Sequence, residues 1–166
     1  MEIRRVRPEE YAEAGRVTAL AYQEFAPAGD ADWEAYLRVI ADVAGRVDRT
    51  IVLVAVADSK ILGSATIEMD GTVGDDDVQL PSDVAALRML GVDPAARGRG
   101  VGHALVQATI DRCRGRRKRE LILRTTERMK AAQRLYRSIG FERDEPRDQH
   151  FDDGFVLYAY RLDLGR

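Results

Sequence analysis

The 166-residue sequence predicts an α/β fold around a central mixed sheet, with elements in the order β-α-α-β-β-β-α-β-α-β-β. Three observations carry this reading. Apolar-rich runs at 51–56, 87–92 and 121–123 have the length and character of buried strands. Apolar or small residues recur at helical spacing over 11–25, 33–47 and 129–139. A Gly-rich turn at 98–102 leads from one buried strand into a helix and on to another strand. That is a right-handed βαβ unit, so its two strands are parallel.

Size and composition bound the rest. A chain of this length suggests one domain, 1–166, able to bury about 70% of its unfolded surface. Apolar content of 45% and charged content of 33% are those of a globular protein. No apolar run approaches the roughly 20 residues that span a bilayer, so no membrane partner is expected. Met1-Glu2-Ile3-Arg4-Arg5 lacks the apolar segment of a secretory signal, and a lone cysteine, Cys113, rules out an internal disulfide framework. Both point to the cytoplasm. A net charge of −2 speaks against nucleic acid as a general partner. One basic run, Arg112 to Arg119, is the exception; without interleaved aromatics it reads as a solvated connection.

In chain order, Glu2 to Val6 alternates enough for a first strand. Pro8-Glu9-Glu10 opens a helix, with proline in the first turn and acids at the positive end. Pro27 and Gly29 break it. Asp30 or Asp32 caps a second helix with the stripe Trp33, Tyr36, Leu37, Ile40, Ala44 and Val47. Tyr22, Phe25, Trp33 and Tyr36 flank the corner between these helices. Ile51 to Val56 and Ile61 to Met69 form a hairpin through Asp58-Ser59-Lys60. Asp70 to Asp77, polar and acidic, reads as a mobile loop before the central strand. After the βαβ unit, Met129, Ala132, Leu135, Tyr136 and Ile139 mark a helix ended by Gly140 as its C′ residue. Strands from Phe141 and over Phe155 to Leu162 complete the chain.

The chemistry concentrates in the turn. Asp93-Pro94 stops the strand, and glycines at 98, 100 and 102 let backbone approach a ligand closely with N–H groups converging on an anion. The helix that follows adds its positive end. A dinucleotide fingerprint needs glycine where His103 stands, and no G-K-S/T triplet exists for a Walker-type phosphate loop. What fits is Arg97-x-x-Gly100-x-Gly102, the R/Q-x-x-G-x-G/A pattern. A plain strand–helix turn without ligand is the alternative.

With that pattern, and with Leu135-Tyr136-Arg137-Ser138-Ile139-Gly140-Phe141 matching L-Y-x-x-x-G-F, the chain resembles the GNAT acetyltransferase superfamily from Arg4 to about Leu164. The resemblance implies a mostly antiparallel sheet whose two central parallel strands splay around acyl-CoA. It implies acetyl-CoA as acyl donor. The turn Arg97, Gly98, Arg99, Gly100, Val101, Gly102 would hold the pyrophosphate, and Leu90, Gly91 and Val92 would pair with the pantetheine arm. One N–H there would polarise the thioester, and Tyr136 would protonate the leaving thiolate. No metal is implied.

Two positions depart from the family pattern. Ala86 stands where many relatives carry a glutamate that helps deprotonate the acceptor amine. Glu68, Asp70, Asp83 and His150 are candidate substitutes that spacing does not separate. Met129 stands where relatives often have asparagine. The expected function is transfer of an acetyl group to a primary amine, on a small molecule or a peptide, by direct attack. An acyl-CoA-binding regulatory module without turnover is the alternative. Acceptor and oligomeric state, a homodimer among the options, stay open. Cys113 reads as a small packed residue.

Overall fold

A computed structural model describes residues 1–26, 30–70, 72–73 and 78–165 of the chain. Its strands run β1 (Glu2–Arg5), β2 (Ile51–Ala57), β3 (Lys60–Glu68), β4 (Thr72–Val73), β5 (Val78–Gln79), β6 (Val84–Val92), β7 (Glu120–Thr126), β8 (Glu142–Arg143), β9 (Gln149–His150) and β10 (Val156–Asp163). The α-helices are α1 (Tyr11–Gln23), α2 (Ala31–Ala41), α3 (Val101–Gly115) and α4 (Lys130–Ile139). The main sheet has the order β1-β2-β3-β6-β7-β10-β8, with β9 on β10, while β4 and β5 pair separately. Contacts divide the chain into two units: Met1–Ile67 with Met89–Ala108, and Glu68–Arg88 with Thr109–Arg166.

In the first unit, β1, β2 and β3 form an antiparallel meander, joined at β2–β3 by the two-residue turn Asp58-Ser59. Both turn residues have positive φ, 49° and 60°, the geometry of the tight hairpin that matches strand twist. α1 starts from a one-turn 3-10 helix at Pro8–Glu10, where Glu10 accepts from the Arg7 N–H and grips the Arg4 guanidinium at 2.6 and 2.8 Å. Ala14 and Val17 of α1 then pack on Val43, Val52, Val54 and Ile61.

α2 is shorter than its apolar stripe suggests. Asp30 caps it, accepting from the Asp32 and Trp33 N–H groups, but it ends at Ala41. Two side chains stop it. Asp42 takes the Gly45 N–H at 2.9 Å, and the buried Arg46 donates to the carbonyls of Val39 and Asp42. A cation on the last carbonyls also suits the helix's negative end. Val43 and Val47 still meet the core, so the burial pattern holds where the helix does not. The corner aromatics pack edge to face, Tyr22 on Tyr36 at 6.3 Å and Trp33 on Tyr36 at 5.8 Å. Pro27 and Gly29, read as helix breakers, lie outside the described residues, as do Gly71 and 74–77 of the acidic loop.

The second unit holds the parallel pair, in register from Val84–Glu120 to Leu87–Leu123. β10 runs antiparallel to β7 from Leu157–Thr126 to Asp163–Glu120 and carries β8 and β9 on its other edge. β9, unexpected from the sequence, is only two residues long. Cys113 is fully buried, and burial pushes its thiol up to about 11. That is a packed residue, as read.

The basic run is a mostly exposed connection, as read, with one residue, Lys118, turned inward. α3 ends in a Schellman motif, with Lys118 N–H on the Cys113 carbonyl, Arg117 N–H on that of Arg114, and Arg117 left-handed at φ 55°. This turns the Lys118 side chain inward. Only 5% exposed, it donates to Ser82 O at 2.7 Å and Asp70 Oδ1 at 2.8 Å. Arg119 pairs with Asp83 at 2.8 Å, and Arg114 reaches the Leu164 carbonyl at 3.3 Å. The run fastens this unit together.

Two stability measurements follow. Lys118→Met should lose about 1–3 kcal/mol, the cost of removing a buried charged donor from its acceptors. Joint Arg116→Gln and Arg117→Gln, both exposed, should stay within about 0.5 kcal/mol of wild type in urea unfolding. The Arg4 guanidinium holds the Glu10 carboxyl down at about 2. A depressed carboxylate stabilises the fold above its unfolded value, roughly 4.3, and loses that contribution as pH falls through the folded value. Glu10→Gln should therefore lower stability at pH 7, and its gap from wild type should close between about pH 4.5 and 2.

Candidate functional site

The Gly-rich turn belongs to the first unit, and three close approaches set its place. A Cβ on Gly91 would lie 3.0 Å from Thr18 Cα and 3.2 Å from Ala21 Cβ, so the end of β6 lies directly on α1. A Cβ on Gly63 would meet the Gly91 carbonyl at 2.8 Å and Val101 and Leu105 of α3 at 3.1 Å. The Asp93 N–H then bonds Leu62 O at 2.8 Å, and the Asp93 carboxylate takes the Ala95 N–H. Strand end, turn and helix start thus share one set of contacts. Leu90 and Val92 are half-buried beside Gly91.

Gly98 and Gly100 sit at φ 72° and 76°, a conformation that side chains rarely adopt, with open space where their Cβ atoms would be. Gly102 differs from the other two. It lies inside α3 and owes its place to no left-handed backbone. The first bond into the helix runs from Ala104 N–H to Gly100 O at 3.0 Å. The amides of Val101, Gly102 and His103 precede it and have no helical carbonyl to meet, and Gly100 has no side chain to cap them. Amides without helical partners at a helix N-terminus suit an anion. Arg97 is half-exposed and pairs with Glu24 at 2.6 Å, with Ala21 O at 3.4 Å. Arg99 is exposed.

Tyr136 belongs to the second unit, held by the end of its helix. Gly140, left-handed at φ 109°, gives its N–H to Arg137 O, and Phe141 gives its own to Tyr136 O. This is again a Schellman motif, and the Tyr136 and Phe141 rings make its hydrophobic contact at 5.7 Å. The Tyr160 ring lies 6.3 Å from the Tyr136 ring, centroid to centroid. Among the described residues the Tyr136 hydroxyl has no hydrogen-bond partner. Burial pushes its pKa well above the ordinary 10, so the group stays protonated through physiological pH.

Sequence reasoning missed Gln133. Its amide, 4% exposed, donates to the carbonyls of Thr126 and Glu127 and accepts from the Tyr160 hydroxyl, to which Arg137 donates in turn. The signal was a polar residue on the stripe of Met129 and Tyr136. Met129 itself is buried, its sulfur receiving the Thr125 hydroxyl at 3.5 Å.

The candidate bases separate clearly. Asp70 is 79% exposed and engaged by Lys118, Asp83 is tied to Arg119, and His150 is exposed on β9. Glu68 is 12% exposed and bonded to Arg88 at 2.7 Å through Oε1. Among the described residues no cluster of histidine, cysteine or carboxylate is arranged to hold a metal, and no helix is long and apolar enough to cross a membrane.

The mixed sheet and the glycine turn that opens α3 define an α/β fold with a helix start suited to an anion, and comparison with known proteins gives its family. The model of the Acetyltransferase (GNAT) family matches residues 15–141, through parts of both units, and the chain belongs to that family. It is 38% identical over 77 residues to the N-alpha-acetyltransferase RimI of Mycobacterium tuberculosis, a match covering 46% of this chain and 47% of that one. The match thus spans about half the length of this relative. Among solved structures, the chain resembles the ribosomal-protein-S18-alanine N-acetyltransferase of Escherichia coli, with a TM-score of 0.70 and 19% identity over 99% of this chain and 94% of that one. It also resembles the PaiA N-acetyltransferase of Thermoplasma acidophilum, solved with coenzyme A, with a TM-score of 0.74 and 15% identity over 98% of each chain.

The helix end can be tested by stability alone. Gly140→Ala meets only an ordinary contact, Leu162 Cδ1 at 3.6 Å, so its cost is the left-handed backbone, about 1–2 kcal/mol. Tyr136→Phe keeps both ring contacts and should stay within about 0.5 kcal/mol of wild type. A larger loss would give the hydroxyl a part in the fold.

Proposed function

We propose that this chain, as one domain over 1–166, is an acetyl-CoA-dependent N-acetyltransferase whose acceptor is the α-amine at a polypeptide N-terminus. The carrying observation is the helix start at Gly100, whose free amides suit a pyrophosphate, in a chain of this family. The named activities of its relatives support the acceptor class. In this reading the amides from Gly98 to Gly102 hold the pyrophosphate, and Arg97 exchanges its solvent-exposed bond to Glu24 for phosphate at little cost. Leu90, Gly91 and Val92 offer backbone to the pantetheine amides, and an N–H there meets the thioester oxygen as charge develops on it. Tyr136, which keeps its proton, gives it to the departing thiolate.

The test is transfer to a peptide beginning with alanine, followed by thiol release and product mass. An N-terminally blocked lysine peptide and a polyamine serve as competing acceptors. Transfer to the alanine peptide is expected; acetylation of the competitors alone would overturn the acceptor class. Gly102→Val keeps a helical residue while adding bulk over the amides. It should weaken coenzyme A binding at least about tenfold in calorimetry without lowering the thermal midpoint, since valine suits a helix no worse than glycine. Tyr136→Phe should bind coenzyme A normally and lose about 10²–10⁴-fold in kcat. Unchanged affinity in a folded Gly102→Val would remove the turn from the cofactor site.

A further inference from the structure

We infer that Glu68 receives the proton of the acceptor's ammonium group, replacing from β3 the carboxylate missing at Ala86 on β6. The inference rests on the N-acetyltransferase reading above. Ala86 joins Leu80, Val84 and Ile122 in an apolar cluster, so the usual position of the base is part of a hydrophobic wall. Arg88 stands two residues further along the same face of β6, roughly 7 Å on. Its guanidinium binds Glu68 Oε1 at 2.7 Å, which brings a carboxylate to this stretch from β3.

The other oxygen carries the argument. Glu68 Oε2 is buried and, among the described residues, has no hydrogen-bond partner. A buried carboxylate oxygen one bond short is costly, and an N–H donor from a ligand would relieve that cost. Arg88 is the charged group facing Glu68 from β6. Asp70, two residues beyond Glu68 in the chain, is committed to Lys118. Asp83 and His150 are engaged or exposed elsewhere, so neither offers the same open valence.

The step balances with acetyl-CoA as the only co-reactant. One ammonium proton passes to Glu68 Oε2 and from there to solvent. The freed lone pair forms the C–N bond to the acetyl carbon, the C–S bond breaks, and its electrons stay on sulfur. Sulfur takes the Tyr136 proton, and the second proton lost by nitrogen restores that hydroxyl. One proton is released overall.

Glu68→Gln keeps the shape and removes the basic oxygen. With the alanine-led peptide, kcat should fall at least about thirtyfold at pH 6.5, where an α-amine of pKa near 8 is almost wholly ammonium. The deficit should shrink to less than about threefold at pH 9.5, where the free peptide is already neutral. Coenzyme A affinity should not change. If the glutamine variant fails to fold, Glu68→Asp retains a charge for Arg88 while withdrawing the oxygen, and the same narrowing with pH is expected. A variant within threefold of wild type at pH 6.5, or a deficit constant from pH 6.5 to 9.5, overturns the role of Glu68 while leaving the acetyltransferase reading intact. Absence of transfer by the wild-type chain overturns both.

Discussion

The backbone amides at the start of α3 are the constraint around which the first unit is arranged. A helix leaves its first N–H groups without internal partners, and most helices close that end with a side chain. α2 does so with Asp30. α3 begins after Gly100, which has no side chain to offer, and two left-handed glycines hold the approach. Such an end is costly unless water or a ligand fills it. The rest of the unit makes it rigid: Gly91 lies against α1, Gly63 lies under the Gly91 carbonyl, and Asp93 fastens the turn to β3 and to itself. Small residues occur where backbones must touch.

The second unit uses the other end of a helix. The stretch Leu135 to Phe141 is a helix terminator before it is anything chemical. Gly140 supplies the left-handed residue, and Phe141 supplies the apolar contact to the residue five before it. That residue is Tyr136. The same geometry that ends α4 therefore buries the phenol, sets its ring against Phe141 and near Tyr160, and raises its pKa. Stability accounts for the ring, glycine and phenylalanine of the motif. It does not account for the hydroxyl, which has no partner among the described residues.

Features encoded by neighbours in the chain were legible in the sequence. Runs of buried strand, the cap at Asp30, the turn at Asp58-Ser59, the parallel βαβ unit and Gly140 as a C′ residue all depend on local pattern. The left-handed glycines 98 and 100 ahead of α3 follow from local pattern in the same way. Features decided by distant partners could not be read. α2 stops because Arg46 takes its carbonyls, although its apolar stripe continues to Val47. Lys118 looks like one more surface cation in a run of them, and only Asp70 and Ser82 reveal it as buried. Spacing offered four acids or bases in place of Ala86. Their surroundings, invisible in one dimension, distinguish Glu68 by an unfilled oxygen. The three glycines of the turn looked equivalent and are not, because φ at each depends on where the helix begins.

Met89 ties these points together. It is a non-glycine residue at φ 51° in the middle of a strand, a conformation that costs about 1–2 kcal/mol, yet the alternation of buried and half-buried residues continues through it from Leu87 to Val92. The strained residue stands where β6 passes from the second unit to the first. Immediately before it is Arg88, which holds Glu68; immediately after it come Leu90, Gly91 and Val92. Backbone strain persists where the surroundings over-determine it, and such positions cluster at sites of function.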